Sequence, residues 1–151
     1  MQKNILILCL FFQFASVVYA KEIKIVSDNL EIIRTDSISI FSGNVYAIED
    51  DLEIWSEKLI LISSNDETTI EEINAENNVT IIKQELVIEG GKAKYDPVKN
   101  ILIVVDDVIV TQNGNNIFCD KIIVDLENSS SIMKSSSTNR VKAVITSKNT
   151  N

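Results

Sequence analysis

Histidine is absent from this 151-residue chain, proline occurs once, glycine four times and cysteine twice. Without histidine the chain lacks the commonest general base and the commonest metal ligand. With glycine and proline scarce, turns fall to asparagine, aspartate and serine. Of the two cysteines, Cys9 lies in an N-terminal apolar run. A chain processed after that run holds only Cys119, forms no internal disulfide, and rests on packing and sheet hydrogen bonds. Basic residues are also few: 14 against 22 acidic, a net charge of −8. Such a chain is no reader of nucleic acid, whose phosphates demand Lys and Arg, nor a basic membrane-surface helix. No phosphate loop, nucleophile elbow or zinc spacing occurs. Asp50-Asp51 and Asp106-Asp107 lack the Asp-x-Asp-x-Asp-Gly pattern of a calcium loop and read as turn carboxylates. A glycosidase needs two carboxylates facing each other across a cleft, and here they cluster at predicted turns. The chain is thus expected to carry no catalytic residue, no metal and no cofactor.

What is present begins with Lys3, an apolar stretch over 5–14 (ILILCLFFQF), and the ending Val18-Tyr19-Ala20. This reads as a secretory signal peptide over 1–20, cleaved after Ala20. The stretch is short for a membrane span of about 20 residues, although Val17 and Val18 extend it, so an uncleaved anchor stays open. Cys9 ends no small-residue motif, which argues against a lipoprotein. The remainder is one domain by length, over 21–147, with a short tail at 148–151. It is rich in β-branched residues, which favour strands, and no segment shows sustained helical periodicity.

A repeat organises the domain. Ile25-Val26-Ser27-Asp28 returns as Ile54-Trp55-Ser56-Glu57, Ile88-Glu89-Gly90-Gly91 and Ile117-Phe118-Cys119-Asp120, at spacings of 29, 34 and 29 residues. Nine residues before the isoleucine of each later copy stands the valine of Gly43-Asn44-Val45, Asn77-Asn78-Val79 or Asp106-Asp107-Val108. Apolar residues alternate within each copy, as in half-buried strands, and then change phase. Val45 and Ala47, and after a turn Leu52, Ile54 and Ser56, alternate as inward candidates; beyond Ser56 the apolar residues fall at Leu59 and Leu61, one position out of phase with 52, 54 and 56. Val79, Ile81, Leu86, Ile88 and Gly90 precede Ala93 and Tyr95, while Val108, Val110, Ile117 and Cys119 precede Ile122, Val124 and Leu126. A phase slip turns all later side chains to the opposite face unless the strand bends. Its recurrence predicts a corner, with a small residue (Ser27, Ser56, Gly90, Cys119) at a crowded crossing. Hairpins are predicted at Asp50-Asp51 and at Asn113-Gly114, a strong turn signal. Longer connections are expected at 63–69 and 128–139, and a last strand at 141–146. The expected architecture is all-β: antiparallel hairpins folded at corners into two facing layers, a sandwich or jelly roll.

FSGNVYAIEDDLEIWSEKLIL, IEGGKAKYDPVKNILIV and DDVIVTQNGNNIFCDKIIVDL, with the ending Asn139-Arg140-Val141, resemble the OstA-like family of lipopolysaccharide-transport periplasmic proteins (LptA) over nearly the whole mature chain. The resemblance implies a V-shaped folded sheet, or β-jelly roll, open along one edge, that binds the acyl chains of lipid A. It implies a non-enzymatic periplasmic bridge moving lipopolysaccharide from inner to outer membrane. The implied partners are an inner-membrane LptC-like protein, an outer-membrane LptD-like protein and further copies docked head to tail. Asn77-Asn78 and Asp106-Asp107 depart from the family's Gly-Asn. The alternatives are a membrane-anchored LptC-like partner and a structural or adhesive β-repeat module.

The lipid-facing candidates are Val45, Ile54, Leu59, Val79, Ile81, Ile88, Val108, Ile117, Ile122 and Val124; the competing reading of all ten is a dry core. Trp55 and Phe118 fall on the opposite phase, fit for a rim or partner surface or for the far end of a twisted core. Cys119 reads as a buried, inert thiol. Lys58, Lys92 and Lys121 read as solvated corner charges. The predicted edge strands at 22–26 and 141–146, with Ile23, Ile25, Val141 and Val144, would leave backbone groups unpaired and invite strand addition.

Overall fold

The computed structural model describes residues 22–136 and 138–146. The leader expected at 1–20 and the tail expected at 148–151 lie outside the described residues. Ten strands follow in order: β1 (Ile23–Val26), β2 (Asn29–Ile33), β3 (Ile38–Glu49), β4 (Leu52–Ser63), β5 (Ile70–Lys83), β6 (Leu86–Asp96), β7 (Ile101–Gln112), β8 (Asn115–Asp125), β9 (Ser130–Lys134) and β10 (Lys142–Val144). Among the described residues, helix is limited to the turn Arg34–Asp36. From β3 to β8 the chain runs as an antiparallel meander. Both edges of this sheet are split strands. β1 and β2 share the outer side of β3, and β10 and β9 share the outer side of β8. The two edges do not pair with each other, so the sheet is open rather than a closed barrel.

The corners lie where the repeat places them. Pairing register slips between Ser42 and Val45, Trp55 and Lys58, Glu76 and Val79, Glu89 and Lys92, and Val105 and Val108. On β3, β5 and β7 the slip is carried by Gly43-Asn44, Asn77-Asn78 and Asp106-Asp107, all six with φ between 46° and 79°. Left-handed backbone costs most L-residues about 1–2 kcal/mol, and glycine, asparagine and aspartate least. Two such residues in succession turn the strand, which explains why only these three types occupy the six positions. β4, β6 and β8 pass the corner without positive φ and need small size instead. A Cβ on Gly90 would lie 2.6 Å from Val104 Cγ1 and 3.0 Å from the Val105 carbonyl oxygen.

Amides and acids tie neighbouring corners together. Asn44 Nδ2 donates to Asp28 at 2.9 Å, Asn78 Nδ2 donates to Glu57, and Asn139 Nδ2 donates to Asp120 at 3.1 Å. Beside β7 the corresponding β6 residue is Gly91, which supplies no acceptor, and there the corner carries Asp106-Asp107.

Each long strand is thus bent into two halves. Segments 45–56, 79–90 and 108–119, with β1 and β10, form one layer. Segments 38–42, 59–63, 70–76, 92–96, 101–105 and 121–125, with β2 and β9, form the other. Their facing residues make the core: Val45, Ala47, Leu52, Ile54, Val79, Ile81, Ile88, Val108 and Val110 against Leu59, Ile73, Ala75, Ala93, Tyr95, Leu102, Val104, Ile122 and Val124. The phase change read in the sequence is this exchange of inward parity at the bend.

Three edge features differ from expectation. β2 (Asn29–Ile33) pairs with 38–42, so the first edge is longer than 22–26. The polar segment expected as a connection at 128–139 contains β9, hydrogen-bonded to β8. The last strand is three residues, 142–144, rather than 141–146. All three are one-sided edge strands whose pairing comes from a neighbour, so their own alternation is short and weak.

Candidate functional site

The two layers meet at the corner and face each other across an apolar interior. In the middle of the sheet they are in contact. Toward the C-terminal edge they part and leave an open cavity of about 340 Å³. One layer contributes Leu86, Val110 and Ile117 to its wall; the other contributes Ile122, Val124, Leu126 and Met133. Lys83, Gln112, Asn115, Asp125 and Ile145 are among the other lining residues. The cavity lies at the edge of the sheet, where β9 pairs with 121–125 and β10 with 116–118 of β8.

The ten lipid-facing candidates divide between these regions. Partly buried Ile117 lines the cavity, and Ile122 and Val124 line it while also belonging to the buried core. Val45, Ile54, Leu59, Val79, Ile81, Ile88 and Val108 are 4% exposed or less and pack in the core. Met133 was hidden in a serine-rich stretch, although its apolar side chain among polar neighbours was a usable signal. Leu86 and Leu126 were already in the alternation pattern.

Beside the cavity lies a second recess of about 240 Å³, lined by Glu49, Asp51, Lys83, Tyr95, Asn100 and Leu126 among others. Lys83 and Leu126 line both spaces. Here Tyr95, from one layer, donates its hydroxyl proton to Glu49 Oε2, from the other, at 2.7 Å. Both residues are buried. Burial first, and the Glu49 carboxylate second, push the phenol pKa up, so Tyr95 stays a neutral donor. Lys83 forms an ion pair with Asp51 and, chiefly through that hydrogen bond, holds the Asp51 carboxyl below the usual range. Sequence reading gave Tyr95 its inward position and missed Glu49, because the partners are 46 residues apart.

At the edges, Ile23 and Ile25 turn inward against the core, whereas Val26, Leu30 and Ile32 are exposed. On the opposite edge Ile132, Val141, Val144 and Ile145 are exposed. The outer sides of β1, β2, β9 and β10 pair with no strand among the described residues. On the outer face Trp55 and Phe118 are exposed. Trp55 leans on Tyr46 with ring centroids 4.3 Å apart, and the Lys142 ammonium lies 5.8 Å from the Phe118 ring. Among the corner lysines, Lys58 pairs with Glu76 at 3.4 Å. Cys119 is buried, and burial pushes its thiol pKa up. Among the described residues no cluster of three or more acidic or cysteine side chains could hold a metal ion.

Three comparisons bear on this arrangement. Residues 24–130 match the family model described as LptA/(LptD N-terminal domain) LPS transport protein. No curated protein sequence is significantly similar to the chain. Among solved structures, the fold is similar to that of LptH, the LptA homologous periplasmic component of the lipopolysaccharide transport device from Pseudomonas aeruginosa. The TM-score is 0.75 at 15% identity, covering 84% of this chain and 96% of that one.

Proposed function

The chain belongs to the LptA/LptD N-terminal domain family of lipopolysaccharide transport proteins, and from that premise we propose that it is a periplasmic carrier holding acyl chains between its two layers. Its family consists of transport components, not enzymes. The observation that carries the finer reading is the apolar cavity at the C-terminal end, continuous with an apolar interior and flanked by unpaired strand edges. Burying about a dozen methylenes is worth roughly 10 kcal/mol at about 0.8 kcal/mol each. A sealed pocket with that gain would trap its ligand. An open trough gives up part of the gain and can pass its load on. No charge is needed in the wall, which suits an acidic protein, and the lipid phosphates would stay near solvent.

The edges supply the second half of the reading. The outer sides of β1 and β2 at one end, and of β9 and β10 at the other, would accept strands of an LptC-like protein, an LptD-like protein or another copy. Contacts of this heterologous kind do not close and build chains. The leader at 1–20 would deliver the protein to the periplasm and be removed. The test is uptake by the exported, delipidated protein of lipopolysaccharide or lipid A, with the protein's mass measured alongside. Stoichiometric uptake by a protein lacking residues 1–20 supports the carrier. A retained leader supports the anchored LptC-like alternative, and failure to take up lipid supports a structural β-repeat module.

A further inference from the structure

We propose that the Glu49–Tyr95 hydrogen bond is a latch between the two layers, and that hydrocarbon passes from the C-terminal cavity into the middle of the trough only when it opens. The second half rests on the carrier reading; the first stands on geometry alone.

Four observations support it. The bond joins residues on opposite layers at 2.7 Å. The other side-chain bonds named above lie within one layer or along the corner. It also sits where leverage is greatest. Glu49 stands four residues beyond Val45, about 13 Å from the corner at roughly 3.3 Å per residue. A contact that far from the hinge limits opening of the V more than any contact near it. Third, both side chains are buried although each lies near a turn, beside the exposed Asp50-Asp51 and Val98-Lys99. Fourth, the recess at the latch shares Lys83 and Leu126 with the cavity. A chain filling the cavity therefore reaches the latch next. Beyond it Ile54, Ile81 and Ile88 join Leu59, Ala93 and Val104 in a core whose named members are 6% exposed or less. Interiors at this density do not admit a hydrocarbon chain without displacement, so the layers must separate.

Tyr95→Phe removes the donor and keeps the ring. Glu49→Gln keeps an acceptor carbonyl. The measurement uses the exported protein with Cys119→Ser and spin labels on Asp50→Cys and Val98→Cys, exposed turn positions of opposite layers. Electron–electron distances are read without lipid, and uptake of a fluorescent lipid A is timed in parallel. Tyr95→Phe is expected to widen the distance distribution and speed uptake about tenfold, the factor for losing roughly one such bond. Glu49→Gln is expected to stay near the parent in both. If Tyr95→Phe lowers the melting temperature but leaves the distances unchanged, the pair is an ordinary buried contact and the latch is refuted. If the parent takes up no lipid A, the carrier reading fails, and with it the passage half of the proposal, while the distances still decide whether the layers are latched. If Tyr95→Phe does not fold, Glu49→Ala is measured in its place, and unchanged distances there refute the latch equally.

Discussion

Ile88 and Ile117 occupy the same place in the repeat and meet opposite fates. Ile88 lies in β6, with full-length β5 and β7 on either side, and is 0% exposed. Ile117 lies in β8, beside a three-residue β10, and faces an open cavity. Residue type and register are the same; distance from the sheet edge differs. The lesson is that this fold makes core and site from one pattern, and that a residue's place between the middle of the sheet and its C-terminal edge separates the two here.

The largest effect should come from breaking the packed side of that comparison. Ile88→Ala is expected to cost about 2–5 kcal/mol in denaturant unfolding, as buried isoleucines do when nothing fills the gap. Ile117→Ala, at the open side, should cost about 1 kcal/mol or less, while lowering lipid uptake. Equal losses at the two positions would remove the distinction between core and trough. Gly90→Ala comes next, at about 1–3 kcal/mol, because the added methyl overlaps Val104 and a backbone carbonyl that cannot yield. The same unfolding curves read it.

Smaller effects test the corner and the mouth. Asn78→Ala should cost about 1 kcal/mol, since alanine is strained in left-handed backbone and loses the bond to Glu57. Asn78→Gly should recover much of that loss, and equal damage from both would argue against the backbone account. The least effect is at Asp51. Its depressed pKa means the Lys83 pair stabilises the fold above the unfolded value of about 3.9 and ceases to do so as pH falls through the folded value. The pair is well exposed, so the contribution is about 0.5 kcal/mol or less. Asp51→Asn should be slightly less stable than the parent at pH 6 and indistinguishable from it near pH 2.

Much of this architecture could be read from residue order. The phase changes after Ser56, Gly90 and Cys119 marked the bends, and Asn113-Gly114 formed the turn its type requires, with both φ values positive. Cys119 fell in the buried small position, as its counterparts Ser56 and Gly90 implied. What stayed hidden depends on partners distant in the chain. β2 and β9 owe their form to β3 and β8, and Glu49 to a tyrosine 46 residues away. Periodicity along a strand records which face is inward. It does not record how far two layers stand apart, so the ten isoleucine, valine and leucine candidates could not be sorted into wall and core. Trp55 and Phe118, open to two readings, take the outer face because they alternate with the inward Ile54 and Ser56 and the inward Ile117 and Cys119.

A photoreactive amino acid at position 117, with a matched control at position 55 on the outer face, tests the central claim most directly. In cells making lipopolysaccharide, the trough account predicts a lipopolysaccharide adduct from 117 and none from 55. Adducts from 55 with none from 117 would place the lipid outside the folded sheet and contradict it.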